Sequence, residues 1–368
     1  MSRPTRAVVD LGAVARNYRF LADRVAPAAV IAVVKADAYG HGAVAVAQRL
    51  AAEGARTFAV AIAEEAVVLR RAGIAGQILL LNYSDAADVP LHRAYGLMPA
   101  LFDLEHAKAY AQATRGAAEP LPVHLKLDTG MGRLGVRPAE LPAAIEVLKA
   151  APGLALAGVF TNFSSSNDPA SQRTAEQTAA MRDALATLRS AGLSTGTVHL
   201  ANSGAALAHP GTWFDAIRPG LSLYGVAPAE GLDGGALEPA LEVETEIMTV
   251  KDVVAGTPLG YGGAFVTARP SRIALLPIGY DDGLRRSFSG RLSVLVRGEQ
   301  VPIVGAVSMD LTMVDVTGTA ALRGDRVVCL GRDGDYRVTA WDWAGAAGTM
   351  PYEILCGIGR RMQRTYRA

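Results

Sequence analysis

Short apolar runs alternate with helical patterns from about residue 29 to residue 220. The runs are Val30–Val34, Thr57–Ile62, Gln77–Leu81, Tyr95–Pro99, Pro122–Leu127, Ala155–Phe160, Thr197–Ala201 and Asp215–Ile217. They are bounded by turn residues and apolar on both alternating faces, which predicts parallel strands covered on both sides. Between them, Asp168-Pro169 predicts an N-cap with proline at the first helical position. Met181, Ala184, Leu185 and Leu188 then follow at helical spacing, with Gly192 as the stop. Asp103 predicts the start of another helix, and Leu141, Ile145 and Leu148 share one face of a third. Eight strands with intervening helices predict a (β/α)8 TIM barrel, a fold of ~250 residues. A doubly wound open sheet is the alternative.

The texture changes after Gly225. Ala227–Ala236 is rich in Gly, Pro, Ala and Asp and reads as a linker. Alternating strands follow at Glu242–Val250, Arg272–Leu276, Arg291–Val296 and Thr312–Val316, and Gly298-Glu299 is placed to turn a hairpin between Leu292–Val296 and Val301–Val304. This half is mostly β, with a small barrel as one arrangement. Arg6–Asp10 is also strand-like, so the N-terminus is expected to join it. The expected domains are a barrel over 11–228, a linker over 229–237, and a β-rich domain made of 1–10 and 238–368.

At 368 residues the chain is too long for one ordinary core, in keeping with two domains. A net charge of +1 offers no field for phosphate backbones, which argues against nucleic acid. Cys329 and Cys356 form no CxxC, and the six histidines show no ligand spacing with them, so no metal is expected. Met1-Ser2-Arg3-Pro4-Thr5-Arg6 carries no apolar run of a secretory leader. The apolar stretch Val25–Val34 stops at Lys35, short of the ~20 residues a bilayer needs. A cytoplasmic protein without membrane contact is expected.

Barrel chemistry belongs at the C-terminal strand ends. Lys35, Glu64, Asn82, Lys126 with Asp128, Asn162, Asn202-Ser203 and Arg218-Pro219-Gly220 mark those ends. Each alone also reads as a solvated strand end; their convergence on one face points to a site. Lys35 is the sharpest, because an amine against an apolar mouth loses its charge readily and attacks carbonyls. Taken alone it reads equally as a snorkelling lysine. Tyr39 and the glycines Gly40 and Gly42 add a hydroxyl and room for close approach. Gly130–Gly135 matches G-x-G-x-x-G after a strand, but the next strand end carries Thr161-Asn162 where a dinucleotide site needs an acid.

Ala32–Gly42 (AVVKADAYGHG) resembles the cofactor-lysine motif of the alanine racemases, which bind pyridoxal 5′-phosphate (PLP). The resemblance continues in order through Asp10-Leu11 with Asn17, Lys126–Gly135 (KLDTGMGRLG), His199–Ser203 (HLANS), Ile217–Gly225 (IRPGLSLYG), Leu259–Gly263 (LGYGG), Ser308–Asp310 (SMD) and Pro351–Arg361 (PYEILCGIGRR). It implies a PLP-binding barrel followed by a β-domain, in a homodimer with shared active sites. It also implies an amino-acid isomerase that interconverts L- and D-alanine, supplying D-alanine for peptidoglycan.

By this resemblance Lys35 holds PLP and serves as one base, and Tyr261 from the partner subunit is the other. Racemisation takes a proton from one face of Cα and returns it on the other, so two opposed bases suffice. Arg218 faces the pyridine nitrogen and is held by His199. Tyr39, Asn202, Ser203, Gly220 and Leu221 are implied around the phosphate, where amides and hydroxyls bind anions; Ser203 reads equally as a helix N-cap. Arg133 orients the cofactor and the substrate carboxylate, Lys126 is the position carbamylated in many relatives, and Met309 offers its amide to the carboxylate. Tyr280 and Tyr352 line a narrow entry. Asn162 is a departure, since the family usually carries histidine there. Asparagine cannot carry charge, so a broader-specificity amino-acid racemase is one alternative. A non-catalytic PLP-binding protein is another, disfavoured by the full second domain.

Overall fold

The computed structural model describes residues 3–368; Met1 and Ser2, part of the expected N-terminal segment, lie outside the described residues. The chain divides into two compact units. One comprises Val14–Ala38 and Ala43–Glu238; the other comprises the N-terminal residues through Ala13, Tyr39–Gly42 and Pro239–Ala368. Sequence-based boundaries at 10/11 and 228–238 did not anticipate that Tyr39–Gly42 would group with the β-rich unit.

Strand β1 (Arg6–Asp10) belongs to the β-rich unit. The barrel strands are β2 (Ala29–Val33), β3 (Thr57–Val60), β4 (Gln77–Leu80), β5 (Leu97–Leu101), β6 (Leu121–Lys126), β7 (Leu154–Phe160), β8 (Thr197–His199) and β9 (Ala216–Ile217). All pair in parallel, and β9 closes the barrel on β2 with Val30 opposite Ile217. Each strand is short and buried over most of its length, as the two-sided apolar runs require.

Some helices follow the capping signals in the sequence and one does not. Asp103 accepts the amide of His106 at 2.7 Å and starts helix Leu104–Ala113; such a cap contributes about 1 kcal/mol. Helix Leu141–Lys149 buries Leu141, Ile145 and Leu148. Helix Arg173–Ser190 buries Met181, Ala184, Leu185 and Leu188 and ends before Gly192. It does not start at Asp168-Pro169. Asp168 instead accepts the amide of Ala170 in a local turn, which satisfies its side chain without a helix.

In the β-rich unit, β1 lies between Leu241–Glu246, antiparallel, and Gln363–Arg367, parallel. The pairing path runs Thr249–Val253, Ser271–Leu276, Thr312–Asp315, Glu299–Val304, Ser293–Val296, Arg326–Asp333, Leu241–Glu246, β1, Gln363–Arg367. This path is open, not the small barrel that was one expectation. The expected strand Glu242–Val250 is two strands, Leu241–Glu246 and Thr249–Val253, which pair with different partners. The hairpin between Ser293–Val296 and Glu299–Val304 turns on Arg297 and Gly298, both at positive φ, as a tight two-residue loop demands.

Candidate active site

Register sets the first row of the site. Lys126 at the end of β6 is opposite Phe160 on β7, and Phe160 is opposite His199 on β8. Phe160 stacks on the His199 ring (centroids 4.9 Å apart) and lies under both the Arg218 guanidinium (5.1 Å) and the Lys126 amine (5.5 Å). Arg218, just beyond β9, is buried. It donates to His199 Nδ1 at 2.9 Å, to the Thr161 carbonyl at 2.6 Å and to the Leu200 carbonyl at 3.1 Å. Burial lowers its pKa, but the surrounding carbonyls keep every contact that of a donor.

Burial, then the charges of Arg218, Arg133 and Lys35, bring the Lys126 amine down to about 8, against the pull of Asp128. About a tenth of the amine is therefore neutral at pH 7, far more than for an ordinary lysine. It donates to the Leu81 carbonyl at 3.3 Å.

Lys35 follows β2 and is half-buried. Directly after it the chain makes a left-handed turn: Ala36, Asp37, Ala38 and Tyr39 all have φ of 52–53°. Four consecutive non-glycine residues there cost roughly 1–2 kcal/mol each. The turn is fastened on both sides. Glu65 accepts the amides of Ala36 and of Ala61, each at 2.7 Å, and Asp37 accepts that of Ala43 at 2.7 Å. Glu65, not the exposed Glu64 expected at this strand end, is the acid that makes these contacts.

Arg133 is exposed on a loop that Asp128 folds. Asp128 Oδ1 accepts the amides of Gly130, Met131 and Gly132 at 3.0, 2.9 and 3.0 Å. Burial raises this carboxyl, but the amides of Gly132, Gly130, Met131 and Arg133 prevail and hold it below the usual range. These are the amides a dinucleotide would need, so the G-x-G-x-x-G match is spent on an internal carboxylate.

A second cluster centres on Ser203. Its hydroxyl oxygen lies 3.0 Å from the Gly220 amide, 3.2 Å from the Ser222 amide and 2.9 Å from the Ser222 hydroxyl. Three donors thus converge on one oxygen. Ser222 was missed because it lies inside an otherwise apolar turn with Leu221 and Leu223. Asn202, not Ser203, caps the following helix, accepting from Ala205 at 3.1 Å and from the Ser166 hydroxyl at 2.7 Å. Asn162 donates to the Met131 sulfur at 3.4 Å, and its carbonyl oxygen lies 3.5 Å from Arg218 Nη2.

Among the described residues, the remaining expected side chains belong to the β-rich unit. Tyr39 is buried with its ring 6.0 Å from that of Tyr352. Burial, then Tyr352 and Cys356, raises the Tyr39 hydroxyl; burial pushes Tyr352 up to about 12. Tyr261 sits on a glycine turn at 71% exposure and lines a cavity of about 350 Å³ with Ala306, Ser308 and Leu311. Gly279, just before Tyr280, has to be glycine, since a Cβ there would lie 2.3 Å from the Ser308 carbonyl. Tyr280 donates its amide to that carbonyl at 2.9 Å, and Met309 accepts from Asp281 and Arg361.

Residues 9–228 match the family described as "Alanine racemase, N-terminal domain", and 240–366 match its C-terminal domain. The chain belongs to the alanine racemase family. The alanine racemase of Syntrophobacter fumaroxidans is 42% identical over 361 residues, covering 97% of this chain and 96% of that one. The Bacillus anthracis alanine racemase with bound L-Ala-P superposes with a TM-score of 0.94 at 34% identity, covering 100% and 96%. The Bartonella henselae alanine racemase with covalently bound pyridoxal phosphate superposes at 0.91 and 32%, covering 99% of both chains. The chain is therefore an isomerase-family enzyme of a PLP-dependent line with the barrel-plus-β plan. No described helix is long and apolar enough to cross a membrane.

Proposed function

We propose that this chain racemises alanine with PLP held at the barrel mouth, in a homodimer in which each site borrows Tyr261 from the partner copy. The observation that carries it is one barrel mouth holding Lys35, a buried Arg218 and the triple-donor cluster at Ser203. These residues fit PLP. The Ser203 hydroxyl, its oxygen held by the Gly220 and Ser222 donors and its own proton free to donate, suits a phosphate, with Asn202 holding the helix start and Leu221 beside it. Arg218 suits the pyridine nitrogen, and Lys35 the aldehyde carbon. In the Bartonella relative PLP is bound covalently.

When bound, PLP draws electrons from the substrate Cα and makes its proton removable. The rest is done by this chain. Lys35 takes or returns the proton on one face, and Tyr261 of the partner copy does so on the other. A tyrosine 71% exposed on a glycine turn suits delivery to a second copy. Arg218, which donates and does not accept, would face the pyridine nitrogen as a hydrogen-bond donor, where it would disfavour a proton on that nitrogen. Arg133, with the amide of Met309 from the partner copy, orients the substrate carboxylate. Tyr39 supports the phosphate, and Tyr280 and Tyr352 narrow the entry toward a methyl side chain.

Lys126 forms a carbamate in this reading. Its neutral amine adds to the carbon of CO2 and releases a proton, and the resulting anion sits among Arg218, Arg133 and Lys35. Asn162 leaves more room and no charge beside Arg218, which favours a wider substrate range than alanine alone. The product suits peptidoglycan assembly, with a cytoplasmic enzyme as its source.

The test is chiral chromatography after incubation of the PLP-loaded protein with a panel of L-amino acids. D-alanine is expected as the leading product; its absence would reject the proposal.

A further inference from the structure

Behind Arg218 the buried polar chain continues one residue further than the family resemblance assigns. His199 Nε2 lies 2.9 Å from His124 Nδ1, and both rings are buried. His124 is on β6 and His199 on β8, so the contact crosses the intervening β7. It is possible because Gly158, opposite both His124 and Thr197, has no side chain. A Cβ at Gly158 would lie 2.4 Å from His124 Nδ1 and Cε1.

The donors and acceptors in this chain have one consistent assignment. Arg218 can only donate, so His199 Nδ1 must accept. His199 then carries its proton on Nε2 and donates it to His124 Nδ1, which leaves the His124 proton on Nε2. Phe160 packs flat against His199, with an interplanar angle of 11°, so the ring is held in its plane and only its tautomer and flip are left to set. Without His124, the Nε2–H would be a buried orphan costing about 1–3 kcal/mol. The competing tautomer, with its proton on Nδ1, would then turn a donor toward the Arg218 donor.

We propose that His124 is a positioning residue: it accepts the His199 Nε2–H, fixes the His199 tautomer, and so aims the Arg218 guanidinium. Its consequence for PLP rests on the reading of Arg218 as the partner of the pyridine nitrogen. Three carbonyls, of Thr161, Leu200 and His199, hold Arg218 from other sides, so the effect is on aim and not on retention.

The experiment has two readouts. Long-range proton–nitrogen NMR of the PLP-free protein reads the tautomer of each histidine. Both His199 and His124 are expected with Nε2 protonated and Nδ1 bare; His199 protonated on Nδ1, or on both nitrogens, would overturn the proposal with no variant needed. His124→Leu removes the acceptor, whereas His124→Asn keeps an oxygen near the place of Nδ1. His124→Leu is expected to mix the His199 tautomers and weaken PLP binding about 10-fold, the equivalent of one lost hydrogen bond, with Asn restoring most of both. Equal behaviour of the Leu and Asn variants would overturn it. A wild-type protein that shows the expected tautomers but binds no PLP would instead reject the cofactor reading and leave the positioning contact standing.

Discussion

Glu65 accepts the amide hydrogen of Ala36, the residue immediately after Lys35, at 2.7 Å, and with its other oxygen that of Ala61. One carboxylate therefore ties the left-handed turn that carries Lys35 to the end of β3. Backbone bonds to a charged acceptor contribute about 1.5–3 kcal/mol each. Glu65→Ala should lower stability by roughly 3 kcal/mol in urea unfolding and weaken PLP binding in a fluorescence titration, because Lys35 loses its fixed aim. Unchanged PLP affinity would separate Glu65 from the site.

Lys126 is expected to react with carbon dioxide because its amine, brought down to about 8, is partly neutral at working pH and surrounded by cations. With carbon-13 bicarbonate, the wild-type protein should show a carbamate resonance that Lys126→Met lacks. The same resonance in both proteins would place the modification elsewhere.

Asn162 touches Met131 and Arg218 with a small neutral amide. Asn162→His should fill that space and narrow the panel of amino acids converted, with alanine least affected. An unchanged product profile would remove Asn162 from specificity.

The buried histidines make the fold acid-sensitive. Burial, then Arg218, lowers His124 to about 4 from 6.5; burial, then Arg218 and His124, also holds His199 well below its ordinary value. The unfolded chain takes up these protons below pH 6.5 and the folded chain does not. Stability is therefore whole above that value and lost as pH falls toward 4. His124→Asn, which cannot titrate, should make the loss shallower by roughly 3 kcal/mol at pH 4. Parallel melting curves for the two proteins across that range would contradict this.

The barrel was legible because two-sided burial leaves continuous apolar runs, as in Val30–Val34 and Gln77–Leu81, and the polar interruptions at their ends mark the mouth. Glu65 was not, since adjacent acids in a first helical turn look like ordinary solvated residues and only the fold shows which one turns back. His124 was hidden for a different reason: its partner lies two strands away, and the contact depends on the missing side chain of Gly158. The start of helix Arg173–Ser190 was misplaced because an Asp-Pro pair serves a turn as readily as a cap. The open order of the second sheet rests on pairings between distant segments, such as β1 with Gln363–Arg367, that local alternation does not encode.

In the proposed reaction Lys35 and Tyr261 act on opposite faces of the substrate from different copies of the chain. Lys35→Ala and Tyr261→Phe chains, co-expressed with different affinity tags, give a hybrid dimer that can be isolated. If the bases come from different copies, the hybrid holds one site lacking both bases and one intact site, and should recover roughly half the native rate of D-alanine formation. A hybrid no more active than the two variants alone would mean that each site draws both bases from one copy, and would contradict the account.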